Sequence, residues 1–141
     1  MARPPLDGLV ETALYVSDVF RSRDFYTRLF GFQPLGGNER IQPLAVKPGQ
    51  VLLLFKRGAT LAPIPVGDSF IPPHDGSREQ HFAFGIPAQS YDDWKSFLIG
   101  LDVGIESEVH WPQGAAASTF AILTGLRSSW SPRAFGQTTD D

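Results

Sequence analysis

The chain has 141 residues, 42% hydrophobic and 19% charged, with a net charge of −3, which describes one ordinary globular domain and excludes a disordered or fibrous chain. Its twelve Lys and Arg residues are scattered and it has no cysteine, so it lacks the basic stripe that nucleic acid requires, and any metal must be held by His, Asp or Glu. The longest apolar run, Val51 to Phe55, is far short of the roughly 20 residues of a membrane span, and the Met-Ala-Arg-Pro-Pro start has no apolar signal region; a soluble, cytoplasmic protein with a small-molecule partner, and neither nucleic acid nor membrane, is expected.

In chain order, Leu9 to Val16 is rich in β-formers and alternates, which predicts a strand. Ser17-Asp18 supplies an N-cap to a helix in which Ser22, Phe25, Tyr26, Leu29 and Phe30 form an apolar stripe and Gly31 marks the stop. A weak strand near Phe32 to Leu35 precedes two stronger ones, Arg40 to Val46 and Gln50 to Lys56, which flank the turn Lys47-Pro48-Gly49-Gln50. The first module therefore reads β-α-β-β-β, over about residues 7–56. Residues 57–78 are rich in Pro and Gly and read as a connection without elements of its own. The second module, about 79–130, opens with a strand at Gln80 to Ile86. A helix follows, capped by Ser90 with Asp93 three residues on, with Tyr91, Trp94, Phe97, Leu98 and Leu101 as its apolar stripe and Gly104 as its stop. Ile105 to Trp111 alternates with period two, and Pro112-Gln113-Gly114 turns the chain.

The internal repeat carries more than any single motif. Glu11 to Val16 aligns with His81 to Ile86, and each strand leads into a capped helix with a Gly stop. One copy alone leaves a face of its short sheet bare, so two copies are expected to share a core and to leave a curved cavity in which a ligand sits. The fold class is α+β, with two βαβββ modules in one domain.

Residues Leu9 to Phe32, the stretch IPPHDGSREQHFAFGIP, and IESEVHWPQG resemble, in that order and spacing, the glyoxalase/bleomycin-resistance/dioxygenase (vicinal oxygen chelate) group over roughly residues 7 to 114. The resemblance implies a curved, cup-like mixed sheet, a homodimer, and a divalent metal such as Zn, Ni, Mn or Fe, which in such enzymes polarises vicinal oxygens of a substrate. It places Glu11 and His81 at ligand positions on the opening strand of each module, and an imidazole with a carboxylate suits such a metal. The alternative for each is structural: a satisfied strand histidine and a solvated strand glutamate. One departure from the pattern is Leu53, which stands where relatives carry a ligating Glu.

The tail after Gly114 is the other departure. The group's usual ending contains Tyr-Phe-Arg-Asp-Pro-Asp-Gly and a last ligating Glu, and neither is present. Shifted by a single base, the codons for Phe120 to Gly125 permit Arg-Asp-Pro-Asp-Gly, and the same offset permits Thr-Pro-Arg-Leu-Trp across Trp130 to Gly136. This predicts an insertion or deletion near Gln113 to Ala116, with the last Glu codon spanning Ser128 and Ser129, whose hydroxyls are poor substitutes for a carboxylate. Ser118 to Leu123 remains strand-like, Thr124-Gly125 turn-like and Leu126 to Trp130 able to pair, whereas the polar residues 131–141 are expected to fray.

Three residues are candidates for substrate contact: Arg40 as a clamp for an anion, Phe84 as an aromatic wall, and Trp111 as a stacking surface at the cavity rim, against the plainer readings of surface Arg and core aromatics. His74, in IPPHDG, reads as an exposed loop residue. Glu106, Glu108 and His110 share one side of their strand and read as a wet face, or as acid/base candidates if that side lines the cavity. Two functions follow: a metal-dependent lyase, isomerase or dioxygenase-type enzyme of unknown substrate, its activity impaired if the tail is frameshifted, or a metal-independent drug-binding protein of the bleomycin-resistance type.

Overall fold

The computed structural model describes residues 1–76, 80–110, 118–123 and 133–139. They fall into two compact units, Met1–Asp75 and Gly76–Asp141. Each unit has the βαβββ order expected from the repeat, and the class is α+β.

In the first unit, strands β1 (Glu11–Val16), β2 (Gln33–Pro34), β3 (Ile41–Lys47) and β4 (Gln50–Lys56) form a sheet in the order β1-β4-β3-β2. The β1–β4 pair is parallel and the others antiparallel. The hairpin between β3 and β4 closes where Gly49 takes φ 81°, a conformation other residues adopt only with strain. Helix α1 (Val19–Phe30) starts where the Asp18 carboxylate accepts from the N–H groups of Phe20 and Arg21, both at 3.1 Å. It ends where Gly31, at φ 71°, donates to the Thr27 carbonyl at 2.9 Å.

The alternation of each strand decides what α1 covers. Leu14 and Val16 on β1, Leu52 and Leu54 on β4 and Leu44 on β3 are all buried, as are Val19, Tyr26 and Leu29 of the helix. Gln42 is the polar member of that layer; it receives a long contact from Arg23 of α1 at 3.4 Å and donates to the Asn38 carbonyl at 3.0 Å. The core thus lies on one face of the sheet, and the intervening residues Glu11, Ala13, Tyr15, Leu53 and Phe55 project from the other.

The connection after β4 holds a hairpin, β5 (Ile64–Val66) and β6 (Ser69–Ile71), turning at Gly67 with φ 56°. It corrects the expectation of a connection without elements: Pro63, Pro72 and Pro73 lie outside the strands, and Pro65 is the middle residue of β5 in a two-stranded sheet, where every strand is an edge and a missing N–H is tolerated.

The second unit repeats the arrangement. Strands β7 (His81–Pro87), β8 (Ile105–His110), β9 (Ser118–Leu123) and β10 (Arg133–Thr139) form a sheet in the order β7-β10-β9-β8, with β7 and β10 parallel. Helix α2 (Tyr91–Gly100) buries Leu98. Three details depart from expectation. Ser90 makes no side-chain cap, because it ends a 3-10 turn, Ala88–Ser90, with φ −92° and ψ 1°, and a non-extended backbone does not aim its hydroxyl at the free amides. The helix stops at Gly100, with Asp102 rather than Gly104 in the left-handed region at φ 56°. Finally, residues 133–139 do not fray. They form β10, in register with both β7 and β9, because a strand between two others satisfies backbone groups whatever the polarity of its side chains. Thr124-Gly125 and Leu126 to Trp130 lie outside the described residues.

Candidate functional site

Glu11 is the first residue of β1, in register with Val51 of β4, and it is exposed. The next residues on its face, Ala13 and Leu53, are themselves register partners, so β4 offers no donor beside Glu11. His81 is the first residue of β7, in register with Arg133 of β10, and is also exposed. The two residues therefore occupy the same place in equivalent sheets, each at the head of the strand that pairs in parallel with the last strand of its four-stranded sheet. Neither last strand, QVLLLFK in β4 or RAFGQTT in β10, contains Asp, Glu or His. Among the described residues there is no group of three or more potential metal ligands. A carboxylate and an imidazole are donor types that suit a divalent metal; the set contributed by these strands is short of the three or four protein ligands usual for a catalytic ion.

The other candidates scatter. Arg40 is exposed in the bend before β3, not within the strand; its N–H donates to Asn38 Oδ1 at 2.9 Å and its carbonyl accepts from the Lys56 N–H at 2.9 Å. Phe84 is half-buried and meets Phe82 edge to face, with ring centroids 5.1 Å apart. It shares its strand face with Phe82 and the buried Ile86 and occupies the position that Leu14 holds in the first unit, opposite His81. Phe84 and His81 are thus not brought to one face. Trp111 lies outside the described residues.

Glu108 belongs to a polar cluster with α2. The Tyr91 hydroxyl donates to its Oε2 at 2.8 Å and Lys95 Nζ lies 2.7 Å from its Oε1, so Glu108 ties strand to helix rather than standing as a free acid/base group. Glu106 falls at a register shift between Ile105 and Ser107. Burial and, next, the hydrogen bond to Glu108 push the Tyr91 hydroxyl up to about 12. The bonded, protonated phenol is favoured by folding, so this contribution is complete below pH about 10 and is lost as pH rises through about 12. An ultraviolet titration of tyrosinate is expected to lose its step near pH 12 in Tyr91→Phe.

One cluster escaped the reading of the sequence. His74 is half-buried, not exposed. Its Nδ1 lies 2.6 Å from the Tyr15 hydroxyl, its ring meets Phe55 edge-on at 4.6 Å between centroids, and Tyr15 stacks on Phe55 at 5.6 Å. The His74 N–H donates to the Thr60 carbonyl at 3.0 Å, and the buried Thr60 hydroxyl donates back to the His74 carbonyl. Burial, then the negative charge of Asp75, raise the pKa of Tyr15 above its ordinary value. The clue in the sequence was Tyr15 itself, an aromatic polar residue two positions beyond Ala13 on the face of Glu11; what the sequence did not reveal was a partner 59 residues away.

The sequence profile described as the Glyoxalase/Bleomycin resistance protein/Dioxygenase superfamily matches residues 8–98. The chain belongs to this superfamily. No curated protein matches it by sequence. Among solved structures, it is similar to a lactoylglutathione lyase from Agrobacterium tumefaciens (23% identity, 96% of each chain covered, TM-score 0.79). It is similar also to a glyoxalase/dioxygenase from Nostoc punctiforme (19% identity, 100% of this chain and 97% of that one, TM-score 0.63). A third is the fosfomycin resistance protein FosX from Listeria monocytogenes, complexed with Mn(II) and sulfate ion (12% identity, 96% of this chain and 93% of that one, TM-score 0.64). At these identities the likeness is one of fold. Within the superfamily fold no helix among the described residues is long and apolar enough to cross a membrane.

Proposed function

We propose that this chain is a divalent-metal-dependent enzyme of the glyoxalase superfamily, of the lyase, isomerase or dioxygenase type, with Glu11 and His81 as metal ligands and a small molecule as substrate. The observation that carries the reading is the equivalence of Glu11 and His81 at the heads of β1 and β7. That a FosX protein of the same fold is complexed with Mn(II) supports it. A bound divalent ion would act as a Lewis acid toward substrate oxygens. Glu11 would supply a carboxylate oxygen and His81 an imidazole nitrogen, both at exposed strand heads. Arg40, Phe84 and Trp111 remain proposed substrate contacts, a cytoplasmic homodimer is the proposed assembly, and residues 1–141 are proposed to act as one domain.

A second reading, a metal-independent protein that binds a small molecule or drug, is favoured by Leu53 and by the lack of any carboxylate or imidazole on β4 and β10. The frameshift proposal bears on the same point. Coding DNA whose alternate frame reads Tyr-Phe-Arg-Asp-Pro-Asp-Gly across Ser118 to Gly125 supports an ancestor with a full ligand set; its absence ends that proposal.

Calorimetric titration of the metal-stripped chain with Mn, Ni, Zn and Fe(II) separates the two readings. Stoichiometric binding that weakens at least about tenfold in both Glu11→Ala and His81→Ala is the expected result, in line with loss of a first-sphere ligand. Binding unaffected by either substitution, or none at all, favours the metal-independent reading.

A further inference from the structure

The Tyr15, His74 and Phe55 cluster lies wholly in the first unit and on the sheet face that α1 does not cover, the same face from which Glu11 projects. It contains a built-in orientation. Thr60 clamps the backbone of His74 at both its N–H and its carbonyl, while Phe55 and Tyr15 hold the imidazole ring edge-on. The roles at the 2.6 Å contact between the Tyr15 hydroxyl and Nδ1 depend on the ring's tautomer; a phenol is a good donor toward an unprotonated imidazole nitrogen, which favours the tautomer in which Tyr15 donates to Nδ1. In that tautomer the ring proton sits on Nε2. Among the described residues, Nδ1 is the ring nitrogen with a hydrogen-bond partner, which leaves the Nε2–H of a half-buried ring aimed away from the Tyr15 contact.

We propose that the His74 Nε2–H, fixed in that tautomer by Tyr15, is a ligand-binding donor that takes an uncharged acceptor oxygen, a carbonyl or hydroxyl, of a small organic molecule. An uncharged oxygen is selected because the Asp75 carboxylate, next in the chain to His74 and accepting the Gly58 N–H at 3.4 Å, places a negative charge beside the cluster, and a second negative charge there is repelled. The inference rests on the small-molecule part of the proposed function and not on the metal.

The test uses the full chain, 15N-labelled and metal-stripped, with hydroxyacetone as the uncharged vicinal-oxygen probe and acetate as the anionic one. Long-range 1H–15N spectra of the imidazoles, assigned with His→Gln variants at positions 74, 81 and 110, read tautomer and binding together. The expected result is an Nε2–H tautomer for His74 whose Nε2 resonance moves on adding hydroxyacetone and not on adding acetate. Tyr15→Phe, which removes only a hydroxyl, is expected to abolish the tautomer preference and to weaken the probe about threefold to tenfold, the effect of losing one net hydrogen bond. An Nδ1–H tautomer, a response to acetate equal to that for hydroxyacetone, or no response of a folded chain to either would overturn the proposal. Because metal is absent throughout, failure here is distinguishable from failure of the calorimetric titration.

Discussion

Replacing Leu54 by Ala is expected to lower the free energy of unfolding by about 3 kcal/mol, within the 2–5 kcal/mol typical of buried Leu→Ala changes. Leu54 is fully buried. Its register partners are Leu14 on β1 and Gln42 on β3, and its side chain points into the layer under α1. Leu14, Leu44 and Leu52 are equally inaccessible, so the neighbours are already packed and collapse only partly into the space left behind. The measurement is the urea midpoint. Leu53→Ala, on the uncovered face of the same strand and only half-buried, is the control and is expected to cost less than half as much. Equal losses at 53 and 54 would mean that the two faces are not distinguished as described.

Gly37→Ala is the second large effect. Gly37 has φ 106°, and a Cβ built there would lie 2.2 Å from the Ile41 carbonyl oxygen and 3.0 Å from Pro43 Cδ. That carbonyl accepts the Asn38 N–H at 2.9 Å, so it cannot retreat without giving up the bond that turns the chain into β3. Gly36, at φ 97° with nothing within 4 Å of its virtual Cβ, isolates the conformational part. Gly36→Ala is expected to cost about 1–2 kcal/mol for backbone strain alone. Gly37→Ala is expected to cost above about 3 kcal/mol, since strain and a backbone clash combine. Equal urea midpoints for the two variants would contradict the close approach at Gly37.

What the sequence by itself determined is local and repetitive. The capped, striped helix from Val19 to Phe30, the β3–β4 hairpin around Pro48-Gly49, the opening strands at Glu11 and His81 and the β-α-β-β-β order of each half are all legible, because caps, turn residues and period-two alternation act within a few residues of one another. The same locality explains the candidate pair Glu11 and His81, which a repeat aligns without any knowledge of contacts.

Only the tertiary structure decided which face each side chain serves and which distant residues meet. Glu108 looked like a free carboxylate until α2 brought Tyr91 and Lys95 against it. His74 looked like an exposed loop residue until Thr60 drew the loop back across β1 and β4, onto Tyr15 and Phe55. Residues 133–139 looked polar enough to fray, yet they form the strand between β7 and β9. In each case the deciding interaction joins residues far apart in sequence, where side-chain polarity says little and the pairing of backbone or of distant side chains settles the outcome.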